Sequence, residues 1–296
     1  MSELKTVRDF VRYAITQFKS APIYYGHGTT NAEDEAWWLV LGFLKLPLTE
    51  RETFLNAELT QEEQAGLTKL IKRRIEEKIP VAYLLNEAYL GGLKFYVNEN
   101  VLIPRSPITE LIENHFAPWL PEDEEYMNIL DMCTGSGCLA ILCAQYFPNA
   151  TVDAVDISEL ALDVAQINVS AYKLEDRVNL FKSDLFEALP HKQYQVIISN
   201  PPYVDAKDLK EMPAEYGHEP VLGLEAGVDG LDIVRRILSE ANKHLLPGGL
   251  LFLEVGNSAD ALEEAYPDLP FTWIDFEHGG DGVFVLQQQD LALIEG

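Results

Sequence analysis

Apolar residues near the start of the chain recur on the helical period. Val7, Phe10, Val11, Ala14 and Phe18 form one stripe, which ends before the polar, glycine-rich piece from Tyr25 to Asn31. Ala36, Trp37, Val40 and Leu41 form a second stripe, stopped near Pro47. Leu67, Leu70, Ile71 and Ile75 form a third, stopped before Pro80. Each stripe must be covered by another element, so the region reads as a small helical bundle. The period changes at Leu93. Phe95 and Val97 alternate with Lys94 and Tyr96, Asn98-Glu99-Asn100 reads as a turn, and Val101-Leu102-Ile103 follows, which predicts a hairpin from Leu93 to Ile103. Pro104 and Pro107 stiffen its exit, and Thr109, Leu111, Ile112 and Phe116 open a connecting helix. This pattern divides the chain into a helical domain over 1–88, a hairpin and linker over 89–108, and a third part over 109–296.

The third part alternates strand and helix. Strands are predicted at 128–133, 151–156, 178–182, 195–199 and 250–255. Between them lie a helix at 137–147, one capped by Ser158 and running to Tyr172, and one at 229–246 closed by Pro247-Gly248-Gly249. Two late strands, 271–276 and 283–287, are placed to pair as a hairpin at a sheet edge. The fold class is therefore α/β, with a seven-stranded, mostly parallel sheet covered by helices on both faces. Its crossovers are expected to be right-handed.

Charge narrows the classes of partner. Lys plus Arg is 22 and Asp plus Glu is 48, a formal net charge of −26. The longest basic cluster, Lys72-Arg73-Arg74, is followed at once by Glu76 and Glu77. Direct nucleic-acid binding is not expected, because affinity for a phosphate backbone comes from Lys and Arg. So acidic a chain attracts basic partners instead. The three cysteines, Cys133, Cys138 and Cys143, fall in one apolar stretch with no histidine close by. They read as core thiols in a reducing compartment, not as a disulfide framework or a metal site. The N-terminal stretch lacks the apolar run of a signal peptide, and no segment approaches the ~18 apolar residues of a membrane span. A cytoplasmic location is expected.

The sharpest local chemistry lies in Asp131-Met132-Cys133-Thr134-Gly135-Ser136-Gly137, between the first strand of the sheet and its helix. Gly135 and Gly137 allow a tight turn and close approach of a ligand to the backbone. Asp156, at the end of the next strand, stands where a doubly wound fold hydrogen-bonds a ribose diol. A dinucleotide fingerprint would carry a third glycine, but Ala140 is there when the count starts at Gly135. An anionic pyrophosphate gains nothing from the carboxylate of Asp131, whereas a cofactor bearing a sulfonium and an ammonium group does. That favours S-adenosylmethionine over a nicotinamide dinucleotide. Asp184, just past the third strand, is placed either to accept from an adenine amino group or to cap a helix.

The fourth strand ends in Asn200-Pro201-Pro202-Tyr203, at the carboxyl edge where open α/β sheets bind ligands. Two prolines fix the backbone and leave it poor in donors. The Asn200 side-chain oxygen and the Pro201 carbonyl can both accept from an NH2 group, and Tyr203 offers a flat face for a planar amide or base. The arrangement suits a planar nitrogen nucleophile held in line with a methyl donor.

Together these segments resemble the class I S-adenosylmethionine-dependent methyltransferases of the HemK/PrmC type, which are Rossmann-like and modify the side-chain amide nitrogen (N5) of protein glutamine. The resemblance extends over almost the whole chain. It includes Pro80 to Leu85, Gly92 to Val97, Val101 to Arg105, Thr109-Glu110, the Asp131 loop, Asn200 to Val204, Glu219-Pro220 and Asp229 to Leu231. Arg105 to Glu110 and Met132 to Cys138 are similar to the branch acting on ribosomal protein L3; the release-factor branch typically carries a glycine at the place of Cys133. The cysteine departs from the broad D-x-G-x-G-x-G pattern by putting a side chain where the backbone is usually bare.

The resemblance implies site roles. Asp131, Thr134, Gly135, Gly137, Asp156, Ile157, Asp184, Leu185 and Asn200 would line the cofactor, with Asp156 on the ribose and Asp184 and Leu185 at adenine. Asn200, Pro201 and Tyr203 would carry the catalysis. Arg105, Glu110, Pro202 and Tyr203 would shape the substrate pocket, and the helical domain would recognise a basic protein substrate, free ribosomal protein L3. The rival readings are the same chemistry on a peptide chain release factor, adenine-N6 methylation of DNA, and a non-catalytic ribosome-assembly factor. The charge of −26 counts against the DNA reading.

Overall fold

The computed structural model describes residues 4–121 and 127–295. The chain divides into two compact units. One comprises the residues up to Ala88 together with Val97–Glu99 and Pro213–Glu219; the other comprises Tyr89–Tyr96, Asn100–Met212 and the residues from Pro220 onward.

The first unit is built from α1 (Val7–Ser20), α2 (Ala32–Phe43), α3 (Gln61–Glu76) and the short α4 (Val81–Leu85). Thr6 caps α1 and Thr60 caps α3, each in a reciprocal box with an acid three residues on, so both helices start where their amides find acceptors. The α1 stripe is buried as its spacing predicts. On α2, Trp38 is buried and donates its indole N–H to Glu87 at 3.2 Å, while Trp37 stays partly exposed beneath the Arg51 guanidinium. On α3, Leu67 and Ile71 are buried, but Leu70 and Ile75 only partly so. The third buried position on α3 is Arg74, from the basic cluster. Its guanidinium pairs with Glu35 of α2, donates to Glu215 at 3.0 Å and donates to the Tyr24 carbonyl at 2.6 Å. Burial pushes the Glu35 carboxyl up. Burial works on Glu215 in the same direction, yet the Tyr24 amide and Arg74 hold it below its ordinary value. Glu215 belongs to the segment 213–219, so a stretch just after the Asn200–Tyr203 motif packs with the helices.

The expected hairpin lies elsewhere. It pairs β1 (Ala88–Leu90) with β2 (Leu93–Phe95). Gly91 and Gly92, both at positive φ, make the two-residue turn that suits the twist of adjacent strands. Val101 to Ile103 forms no strand, although Val101 and Ile103 are buried. The helix α5 (Ile108–Glu113) follows, and Phe116 lies beyond its end, fully buried at positive φ.

The second unit holds β3 (Asn128–Met132), α6 (Cys138–Tyr146), β4 (Thr151–Asp156), α7 (Glu159–Ala171), β5 (Val178–Lys182), β6 (Tyr194–Ser199) and α8 (Asp208–Glu211). It continues with α9 (Asp232–His244), β7 (Leu245–Glu254), α10 (Ala259–Ala265), β8 (Thr272–Trp273), β9 (Val283–Gln287) and α11 (Gln288–Leu291). The seven strands run in the order β5-β4-β3-β6-β7-β9-β8. All neighbours are parallel up to β7, and β9 runs antiparallel between β7 and β8. Along β3, Ile129 faces a core shared with α5 and α6, while Leu130 and Met132 face one shared with α9. Both faces are covered, which is why these strands read as apolar runs. Strand β7 begins earlier than expected. Pro247-Gly248-Gly249 forms a bulge within it opposite Tyr194–Val196, where a Cβ on Gly249 would meet the Tyr194 carbonyl at 3.0 Å.

Candidate active site at the carboxyl edge of the sheet

The strand order reverses between β3 and β6, and the carboxyl ends of these strands frame the crevice where such sheets take ligands. The loop after β3 is held from below by Asp131. Its Oδ2 accepts from the Thr134 hydroxyl at 2.5 Å and from the Ala140 amide at 3.1 Å, which caps the first turn of α6 from the preceding strand. Asp131 is 1% exposed, and burial pushes its carboxyl up to about 7. Its charge therefore acts on the loop first and reaches a ligand only through it. The Thr134 amide donates to the Val155 carbonyl, and Asn168 of α7 donates to the Ser136 carbonyl, so the loop is tied to both neighbouring elements.

Gly135 sits at φ +55, and a Cβ built there would meet nothing within 4 Å. Gly137 sits at φ +77, and its Cβ would press on the Ala165 Cβ at 3.2 Å. The two glycines thus do different work: Gly137 lets α6 and α7 approach, and Gly135 keeps open space at the loop's tip. Cys133 adopts φ +61, the left-handed region that glycine occupies at no cost. Burial drives its thiol far up, so it is held as a neutral S–H. Cys138 and Cys143 are buried and unpaired.

Asp156 closes the other side. Its Oδ2 accepts from the Gly135 amide and its Oδ1 from the Ser158 amide, both at 2.9 Å. Burial raises this carboxyl too. Ile157 beside it is exposed, an apolar surface at the strand end, and Leu185 is buried at φ +51. Asp184 pairs with Arg236 of α9 at 2.9 Å, a partner its sequence position did not suggest. Asp131 lies buried beneath the loop, Asp156 at its side, and Asp184 beyond, tied to Arg236, and all three act electrostatically on Cys133. Together with the open tip at Gly135, this acidic surrounding fits a cationic nucleoside cofactor and not a pyrophosphate.

Past β6, the Ser199 hydroxyl donates to the Met132 carbonyl at 2.8 Å and locks the end of β6 to the end of β3. Asn200 follows, partly exposed, with Pro201 buried and Pro202 and Tyr203 partly exposed. The Tyr203 hydroxyl donates to Glu254 Oε1 at 3.0 Å, and the Ser106 hydroxyl donates to Oε2 at 2.6 Å. Glu254, the last residue of β7, was missed at the level of sequence. The signal was there in retrospect, because Asp131 and Asp156 also sit at or next to the ends of apolar strands. Arg105 donates to the Ile103 carbonyl at 3.1 Å and acts electrostatically on Glu254. Glu110 accepts from the amides of Glu277 and His278, so its carboxylate clamps that turn.

Comparison with known proteins agrees with this geometry. A family model described as the PrmC N-terminal domain matches residues 12–85, and one described as the methyltransferase small domain matches 113–215. The chain is 50% identical over 98% of its length, and over 95% of the relative's, to a ribosomal protein uL3 glutamine methyltransferase of Neisseria meningitidis serogroup B. It is 49% identical over 98% of its length, and over 96% of the relative's, to the protein of that name in Neisseria gonorrhoeae. Among solved structures, the hMettl16 catalytic domain in complex with the MAT2A 3'UTR hairpin 6 superposes with a TM-score of 0.51 at 18% identity. That match covers 77% of this chain and 81% of the other, and speaks to the fold alone. With half its residues shared across nearly its full length, this chain belongs to the HemK/PrmC family of S-adenosylmethionine-dependent protein-glutamine methyltransferases.

Proposed function

We propose that the protein methylates the side-chain amide nitrogen of a glutamine in ribosomal protein uL3. The observation that carries this reading is the Asn200-Pro201-Pro202-Tyr203 segment, fastened through Ser199 to the strand that leads into the glycine loop. Identity of about half to relatives named for uL3 supports the choice of substrate. Bound at the loop, S-adenosylmethionine supplies an electrophilic methyl carbon.

An amide nitrogen is a poor nucleophile because its lone pair is delocalised into the carbonyl. The Asn200 side-chain oxygen and the Pro201 carbonyl accept from the acceptor's NH2 group, fix its direction of attack and favour the positive charge that develops on nitrogen. Tyr203 gives the flat amide a face to lie on. Asp156 would hold the ribose, and Ile157, Asp184 and Leu185 would hold the rest of the nucleoside. Free uL3 in the cytoplasm is the acceptor.

The test supplies labelled S-adenosylmethionine with free uL3 or a peptide release factor and maps the label by peptide mass analysis. Label on a uL3 glutamine alone is expected. Label on the release factor instead would keep the chemistry and overturn the substrate.

A further inference from the structure

Tyr203 is held from several directions. Its hydroxyl donates to Glu254 at 3.0 Å. Its carbonyl accepts from the Ser258 hydroxyl at 3.0 Å. Its ring fills the space beside Gly256, where a Cβ would stand 2.6 Å from Cε2. A Cβ on Gly230 would stand 2.3 Å from its carbonyl oxygen. Behind the ring, Glu254 is 5% exposed and receives a second bond from Ser106 at 2.6 Å. A buried carboxylate is costly, and an apolar pair of similar size would fill this place without that cost. Here both carboxylate oxygens are spent on fixing a partly exposed ring at the ligand edge and the segment that carries Ser106.

We propose that Glu254 is a positioning residue for the methyl transfer, orienting through its bond to the Tyr203 hydroxyl the face on which the acceptor amide lies. This rests on the reading of Asn200–Tyr203 as the acceptor site. In the ionised form both carboxylate oxygens are acceptors only, one for each of the two hydroxyls. Burial pushes Glu254 up to about 6, while Ser106, Tyr203 and Arg105 pull it down. Among the described residues, Tyr203, from the segment after β6, and Arg105, from the segment before α5, are the titratable and charged groups acting on it; β9 presents Val283 and β6 presents Ser199 beside its neighbour Leu253. As pH falls through about 6, the group takes a proton, one oxygen becomes a donor, and the hold on Tyr203 slackens.

Glu254→Gln and Tyr203→Phe should each lower kcat about tenfold, the loss of roughly one charge-assisted bond, with affinity for S-adenosylmethionine unchanged. The double variant should be no slower than either single one, because both remove the same link. With S-adenosylmethionine saturating, the wild-type kcat should fall below about pH 6, and Glu254→Gln should abolish that limb. Should Glu254→Gln fail to fold, Tyr203→Phe and Ser106→Ala test the link from its other ends. A second readout needs no acceptor: in protein labelled with 13C-tyrosine, the Tyr203 signal should titrate near pH 6 and stop doing so in Glu254→Gln. If the wild type methylates neither uL3 nor a release factor, the functional reading fails while this titration still decides the role of Glu254. Multiplicative losses in the double variant, an acid limb retained in Glu254→Gln, or a Tyr203 signal that does not titrate would overturn the proposal.

Discussion

The Gly135 amide donates to Oδ2 of Asp156 across 2.9 Å, so the acid that ends β4 holds the loop that follows β3. The bond adds to those from Thr134 to Val155 and from Asn168 to Ser136 that tie the loop to β4 and α7. The loop takes its shape from Asp131 below and Asp156 beside, through bonds made within the protein itself. Such preorganisation is what a site needs if binding is not to be spent on ordering it.

Asn200→Ala removes one of the two oxygens proposed to face the acceptor amide. The expected loss is in kcat, on the order of 10²–10³, the range seen when one preorganised polar group is taken from a transition state. Affinity for S-adenosylmethionine, measured by calorimetry, should stay within a few-fold. A tenfold loss of cofactor affinity with kcat unchanged would place Asn200 in the cofactor site alone.

Gly135→Ala and Gly137→Ala should separate binding from stability. At Gly135 an added Cβ meets no neighbour, so stability falls by only about 1 kcal/mol from the positive φ. Cofactor affinity should nonetheless drop at least about tenfold if that space belongs to the ligand. At Gly137 the Cβ presses on Ala165, so the larger cost appears in urea unfolding. Equal effects of both variants on both measurements would refute this division.

Asp131→Asn keeps an oxygen for the Thr134 hydroxyl and the Ala140 amide but removes the buried charge. The wild-type carboxyl is raised to about 7 from an ordinary value of 3.8, so the folded state binds more protons than the unfolded state between these limits. Wild-type stability is therefore reduced as pH rises through this window. Asp131→Asn should melt higher than wild type above pH 7, and the gap should close as pH falls toward 4. Cofactor binding should weaken in the same variant, because the edge loses one negative charge. A constant difference in melting temperature from pH 4 to 8 would show that the charge on Asp131 is not what burial opposes.

Arg74→Met leaves the buried carboxylates Glu35 and Glu215 without their cation. Breaking such a pair costs about 3–5 kcal/mol. Urea unfolding at pH 7 should register a loss of this size, and lowering the pH should recover part of it as the stranded carboxylates take up protons. A variant as stable as wild type at pH 7 would show that the cluster contributes nothing net.

With 48 acidic against 22 basic residues, the protein should meet a basic substrate faster at low ionic strength. The value of kcat/KM for free uL3 should fall as salt rises from about 20 to 200 mM, while affinity for S-adenosylmethionine changes little. A flat salt profile would remove charge as a guide to the partner.

Much of the second unit was legible in its pattern. Strand β3 and helix α7 stand close to where apolar runs and the Ser158 cap put them, because local sequence and burial demand the same element there. The hairpin was misplaced. Alternation at Phe95 and Val97 is a weak signal over so few residues, and the paired glycines at Gly91-Gly92 were the stronger one. Strand β7 was begun too late because Pro247-Gly248-Gly249 reads as a stop, whereas in the sheet it is a bulge.

What the sequence determined by itself was the alternation of β3, α6, β4, α7, β5 and β6, the loop with its two glycines, and the motif after β6. These depend on neighbours within a few positions. Tertiary structure decided which charges meet. Arg74 finds Glu35 and Glu215, Asp184 finds Arg236, and Tyr203 and Ser106 find Glu254. Each pair joins residues tens of positions apart. Periodicity cannot report such a pairing, because a carboxylate on a strand end looks the same in sequence whether it faces water, a cofactor or a tyrosine. Only the register of the sheet and the path of the loops bring the partner within 3 Å.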